Sequence, residues 1–228
     1  MTNHWRDIRN ADLILINGAK VNGSIESARG SVQVGPNGQV NGSITAGTTI
    51  TNQGTVTGTM TPNQPSSLIV ANAVPDCGAF TVNLPITGGR YTYVNGDLSV
   101  SGAQNITLGN GTYCFHSLTL SGASVLQVAG PVSINVTGVI NAGGGSLVNT
   151  TKIPSNLQIA SSFTGADGVT IAGNTSGYLT VYAPGTSVAI TGGSHLFGAI
   201  LGKTLTISGN SQIHYDTQLP QIWSGFGF

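Results

Sequence analysis

His195, Lys203, His214 and Asp216 come nearest, by type and spacing, to a reactive constellation in this chain. Two imidazoles and a carboxylate brought together would hold a divalent metal or exchange protons. His195 and His214 lie 19 residues apart, close to one turn of a coil of that period, so they would stack. The plainer alternative is a capping role for His214-Tyr215-Asp216, whose side chains would satisfy exposed backbone groups at the end of an array. A second group, Asp76, Arg90 and Asp97, fits a local ion pair or turn cap. The other acids, Asp7, Asp12, Glu26 and Asp167, are scattered, and no carboxylate pair recurs at one coil spacing within the main repeat block. Gly143-Gly144-Gly145 lacks the helix and lysine of a phosphate loop and the acids of a calcium-binding β-roll. No nucleophile elbow, HExxH or EF-hand pattern occurs. These residues predict a non-enzymatic protein with no catalytic residues, no cofactor and no metal.

Two cysteines, Cys77 and Cys114, stand in a chain rich in Thr, Asn and Gly. That usage predicts an oxidising compartment and a Cys77–Cys114 disulfide, with two buried thiols as the alternative. Neither has a CxxC partner or nearby His pair, so a zinc site is not expected.

The elements that must carry these residues are set by a short repeated phrase, two apolar residues flanking a polar one, then a small residue and glycine. It reads Leu98-Ser99-Val100-Ser101-Gly102, Leu118-Thr119-Leu120-Ser121-Gly122, Val169-Thr170-Ile171-Ala172-Gly173, Val188-Ala189-Ile190-Thr191-Gly192 and Leu205-Thr206-Ile207-Ser208-Gly209. Looser copies are Val21-Asn22-Gly23-Ser24-Ile25 and Val40-Asn41-Gly42-Ser43-Ile44. A fixed period of roughly 16–20 residues marks a solenoid. Period-two alternation turns one strand face inward, and Gly or Asn-Gly supplies the positive φ at corners. No helical stripe survives this density of Gly and β-branched residues. The expected fold is all-β, a single-stranded parallel β-helix, right-handed by the general preference of crossovers. About a dozen coils would fit the chain at this period.

Residues 1–12, with Trp5 and the charged Arg6, Asp7, Arg9 and Asp12, read as an N-terminal cap or tail. Residues 13–216 read as one solenoid domain, its first block ending near residue 61. Within it 62–95 is a Pro-rich excursion tied back by Cys77, with short edge strands such as Ala79 to Leu84 and Arg90 to Val94. Residues 217–228 form an aromatic tail in which Trp223, Phe226 and Phe228 would cap the domain or dock on another subunit.

Residues 15–60, with their Val-Asn-Gly-Ser-Ile repeats, resemble the bactofilin type of β-helix. Residues 96–216 resemble the C-terminal β-helical domain of bacterial type IV pilus-associated PilX-like and Tad-type pilus-assembly proteins. The matching phrases are Gly111-Thr112-Tyr113-Cys114-Phe115-His116-Ser117-Leu118-Thr119-Leu120-Ser121-Gly122, Val181-Tyr182-Ala183-Pro184, Phe197-Gly198-Ala199-Ile200-Leu201-Gly202-Lys203 and Ile213-His214-Tyr215-Asp216. The resemblance implies a structural protein of the envelope or surface.

Only 6% of the 228 residues are charged and the formal net charge is zero. Such a surface carries no electrostatic footprint for nucleic acid and no basic patch for anionic lipid. No apolar run is long enough for a membrane span. The expected setting is extracellular, cell-surface or periplasmic, in a pilus, filament or surface layer. The expected partners are other protein subunits, with surface glycans as the alternative. An adhesin or carbohydrate-binding module is the second reading. An ice-binding β-helix, prompted by Thr48-Thr49-Ile50-Thr51 and the threonines of 55–61, and a polysaccharide-active enzyme are the others.

Overall fold

The computed structural model describes residues 8–65, 74, 77–143, 146–173 and 176–215. Apart from one 3-10 turn at Pro154–Asn156, every regular element among them is a strand. The apolar alternation forms three ladders of stacked parallel strands, here A, B and C, around one core.

Ladder A carries inward, rung by rung, Leu98, Leu118, Ile140, Val169, Val188, Leu205, Ile14, Val32 and Ile50. Ladder C runs Tyr113, Ile134, Ile159, Val181, Ile200, Ile8, Ile25, Ile44 and Met60 in backbone register. Ladder B runs Ile106, Leu126 and Leu147, then Gly177, Leu196, Ile213, Val21, Val40 and Val56. The β-solenoid therefore has about nine turns, fewer than a dozen. Longer corners, as between Ile140 and Val169, use up the difference.

The stacking order departs from the chain order. Residues 13–61 are the first repeats in sequence but form rungs seven to nine in space. Strand Ile8–Asn17 lies inside the stack, pairing with His195–Ser208 on one side and with Ile25–Ser27 and Ser31–Val34 on the other. Rung six is composite: residues 204–215 supply sides A and B, and Ile8–Asn10 supplies side C. The solenoid thus starts at Ile8 and not at 13, because these residues have a paired edge on both sides. Residues 1–7 lie outside the described residues.

The chain leaves rung nine near Thr61 and re-enters at the opposite end. There Ile86–Gly88 and Thr92–Val94 pair antiparallel with Asn105–Leu108 and Asp97–Val100. Residues 79–84, expected as an edge strand, form none; Pro85 follows them and the strand starts after it, as proline's missing donor requires.

The corners after ladder A share a device that the repeated phrase only partly announced. In Ser121-Gly122-Ala123-Ser124, Thr191-Gly192-Gly193-Ser194 and Ser208-Gly209-Asn210-Ser211 the glycine adopts positive φ. The closing serine is buried. Ser124 Oγ donates to Val100 O at 3.0 Å and Ser194 Oγ to Gly173 O at 2.7 Å, each a carbonyl of the preceding rung. A buried hydroxyl needs such a partner, so Ser124 and Ser194 pin one rung to the next, whereas Ser211 Oγ donates to Ser208 O at 2.7 Å within its own corner. At the corners from ladder B to ladder C in rungs eight and nine the glycines serve close stacking instead. A Cβ on Gly42 would overlap the Gly23 carbonyl, and one on Gly58 would overlap Gly42.

Candidate functional site

Three places in the described residues bear on the candidate chemistry. On the outward side of ladder B, register alone brings Tyr178, Phe197 and His214 into one column. Tyr178 and Phe197 stack at 4.7 Å, and Phe197 and His214 at 4.5 Å, with nearly parallel rings. The column continues through Asn22, whose Nδ2 lies 3.1 Å from His214 Nδ1, and Asn41, whose Nδ2 donates to Asn22 Oδ1 at 2.8 Å. His195 stacks beside His214 at 6.0 Å, as the 19-residue spacing predicted. Because the rings cover one another's faces, they offer edges rather than faces to a sugar.

Burial first, then the charges of His195 and Lys20, hold the His214 imidazole below the usual histidine range. His214 Nε2 is buried and has no hydrogen-bond partner, so protonation gains it no contact. The unfolded chain then takes up the proton first. Folding stability should be full above about pH 6.5 and fall as pH drops through the window below it. Melting temperatures at pH 7.5 and 5 check this. His214→Phe, which extends the Phe197 stack, should flatten the difference; an equally steep profile in that variant would count against His214 as its source. Lys203 lies in strand His195–Ser208, on rung five rather than in this column. Asp216, Trp5, Trp223, Phe226 and Phe228 lie outside the described residues, so the proposed His–His–Asp grouping reduces here to its two histidines.

The second place is the first corner from ladder C to ladder A. His116 Nδ1 donates to Asp97 Oδ1 at 2.7 Å, and Ser117 Oγ donates to the same oxygen. Those bonds, Ser117 first and His116 second, hold the Asp97 carboxyl below its usual range. Ser, His and Asp are thus all present, but the hydroxyl gives its proton to the carboxylate and not to the imidazole. His116 therefore does not act as base for Ser117 in this geometry. Asp97 was expected beside Arg90 and Asp76. Instead the Arg90 amide donates to Gln104 Oε1, and Asp76 lies outside the described residues. The Asp97–His116 separation of 19 residues, one rung, was the signal that would have found this pair.

The third place is the covered face. Outward residues of ladder C, Asn135, Ala160, Thr180, Tyr182 and Ala199, are buried. Burial pushes the Tyr182 hydroxyl up to about 12. Cys77 and Cys114 form the expected disulfide at the near end of this face, and the Thr81 amide donates to Cys114 O at 3.0 Å. The bridge closes a loop with a sequence separation of 37, so reducing it should cost about 3–4 kcal/mol. A melt with and without reductant measures this; an unchanged midpoint would leave the bridge without a stabilising role.

Among the described residues no three His, Cys, Asp or Glu converge as a metal site. No helix among them is long and apolar enough to cross a membrane.

The family described as a domain of unknown function, DUF7305, matches residues 66–222. The match spans rungs one to five and sides A and B of rung six, and excludes strand Ile8–Asn17 and the strands of rungs seven to nine. No curated protein matches. Among solved structures the chain is similar to the competence-associated pilin ComZ from Thermus thermophilus, at 12% identity, with 92% of this chain and 69% of that one covered and a TM-score of 0.31. It is also similar to the DUF3494 domain of Shewanella frigidimarina ice-binding protein_1, at 12% identity, covering 93% of this chain and 99% of that one, with a TM-score of 0.29.

Proposed function

The chain belongs to the DUF7305 family of domains of unknown function, and from that premise we propose that it is a non-enzymatic structural and assembly module of the bacterial envelope or cell surface, associated with pili or filaments. The observation that carries this reading is the composite sixth rung. Strand Ile8–Asn17 joins the block matched by the family to the early repeats, so one apolar core runs without interruption from Leu98 to Val32. A continuous parallel stack whose inward positions are mostly Val, Ile or Leu makes a stiff rod rather than a cleft. The disulfide supports an oxidising compartment outside the cytoplasm. The partners in this reading are other protein subunits.

Antibodies raised against the folded chain should label the outside of intact cells or their filaments by immunoelectron microscopy. Labelling confined to the cytoplasm overturns the reading. Cleavage of an envelope polysaccharide by the purified chain would overturn its non-enzymatic part.

A further inference from the structure

The two ends of the solenoid are built differently. At rung one all three ladders are covered. Thr92–Val94 pairs with ladder A and Ile86–Gly88 with ladder B, and on ladder C the Thr81 amide and the disulfide meet Cys114. Leu84, Ile86 and Tyr93 pack against the core there. At rung nine nothing equivalent exists among the described residues. Ile50–Asn52, Thr55–Val56 and Met60–Thr61 each pair with one strand only, that of rung eight. Their inward side chains mark the end of the core. Val32, Val40 and Ile44 in rung eight are fully buried, but Ile50 and Val56 are only partly so and Met60 is 47% exposed.

Proteins commonly protect such edges with Lys, Pro or inward charges. Here the sequence holds no Asp, Glu, Lys, Arg or His from Gly30 to Pro75, and the strands of rungs eight and nine contain no proline.

We propose that the rung-nine end is a homotypic interface at which two copies of this chain join open end to open end about a two-fold axis, leaving both capped ends outward. A head-to-tail contact would need a free rung-one edge, and that edge is occupied. In a two-fold contact each group near the axis meets its own copy, so any charge would face its like. A charge-free end is the composition that tolerates this, whereas a charged partner would find no complement on it. Main-chain groups of the three edge strands would supply the hydrogen bonds, and Met60, Ile50 and Val56 the apolar centre. The inference rests on the assembly reading and names the partner and the surface.

The test uses the full chain in light scattering and sedimentation, from low micromolar to near-millimolar concentration. The expected result is a twofold mass, with Met60→Lys and Thr61→Lys shifting it to monomer while their melts stay close to that of the parent. Tyr91→Lys, at the capped end, should leave the dimer intact. Both rung-nine residues are exposed, Met60 at the margin of the core and Thr61 pointing away from it, so a charge at either opposes pairing and Thr61→Lys does so without entering the core. A parent that stays monomeric throughout, a dimer that survives both lysines, loss of the dimer in the Tyr91 variant, or open-ended polymers would each overturn the two-fold interface. Surface labelling of cells reads out separately, so the interface can fail while the envelope assignment stands.

Discussion

A chain lacking residues 1–61 should lose its cooperative unfolding transition and aggregate, even though the block matched by the family stays whole. In the intact protein Ile8–Asn17 and Lys20–Asn22 pair with Ile200–Gly202, Thr204–Ser208 and Gln212–His214. Their removal strips the backbone partners from one edge of ladders A, B and C at once. It also uncovers Leu205, Ile207 and Ile213, which are essentially fully buried. Burying a side chain of this kind contributes about 1.5–3 kcal/mol, so three of them match a large part of a domain's net stability. The bare edge would also be a template for pairing with other molecules. Size-exclusion chromatography and thermal melts of the truncated chain check the expectation. A monodisperse fragment melting like the parent would show that the early repeats decorate the solenoid and do not complete it.

Phe115→Ala should be the most costly single truncation, lowering stability by about 3–5 kcal/mol. Phe115 is fully buried in the first rung, the largest such side chain in the core. Tyr113 stacks on it at 6.2 Å and Tyr93, from the capping strand Thr92–Val94, meets it edge-on at 5.9 Å. Ladder strands are held by neighbours above and below, so the rung cannot collapse into the space left by the ring. Loss of the ring also frees Tyr93 and with it the cap that closes ladder A. Urea unfolding measures the change through the midpoint. A loss below about 1 kcal/mol would mean that the cap, not this ring, holds rung one.

Much of the solenoid is legible in the residues themselves. The alternation in Leu98-Ser99-Val100 or Val188-Ala189-Ile190 states which side faces in, and the glycine that follows states where the chain turns. The two cysteines announce their bridge. One-rung spacing announces the stack of His195 on His214, and would have announced Asp97 with His116. The buried serine that closes these corners was harder to see, because a serine in a turn is ordinarily a surface residue; the rung below supplies the acceptor for Ser124 and Ser194, and Ser208 of its own corner supplies it for Ser211.

What the sequence determined by itself is the repeating unit: strand, corner, inward Val, Ile or Leu, and a period of about 20 residues that fits a coil. What only the tertiary structure decided is the order of the units. Every rung offers its neighbours nearly the same apolar stripe and the same parallel ladder, so the period cannot say which rung lies beside which. That choice falls to pairs far apart in the chain. Asn22 meets His214 across 192 residues, and Ile14 lies over Leu205. Such contacts exist only once the coils have formed. They set His195 and His214 at the join between the early repeats and the later ones, midway along the nine-rung stack.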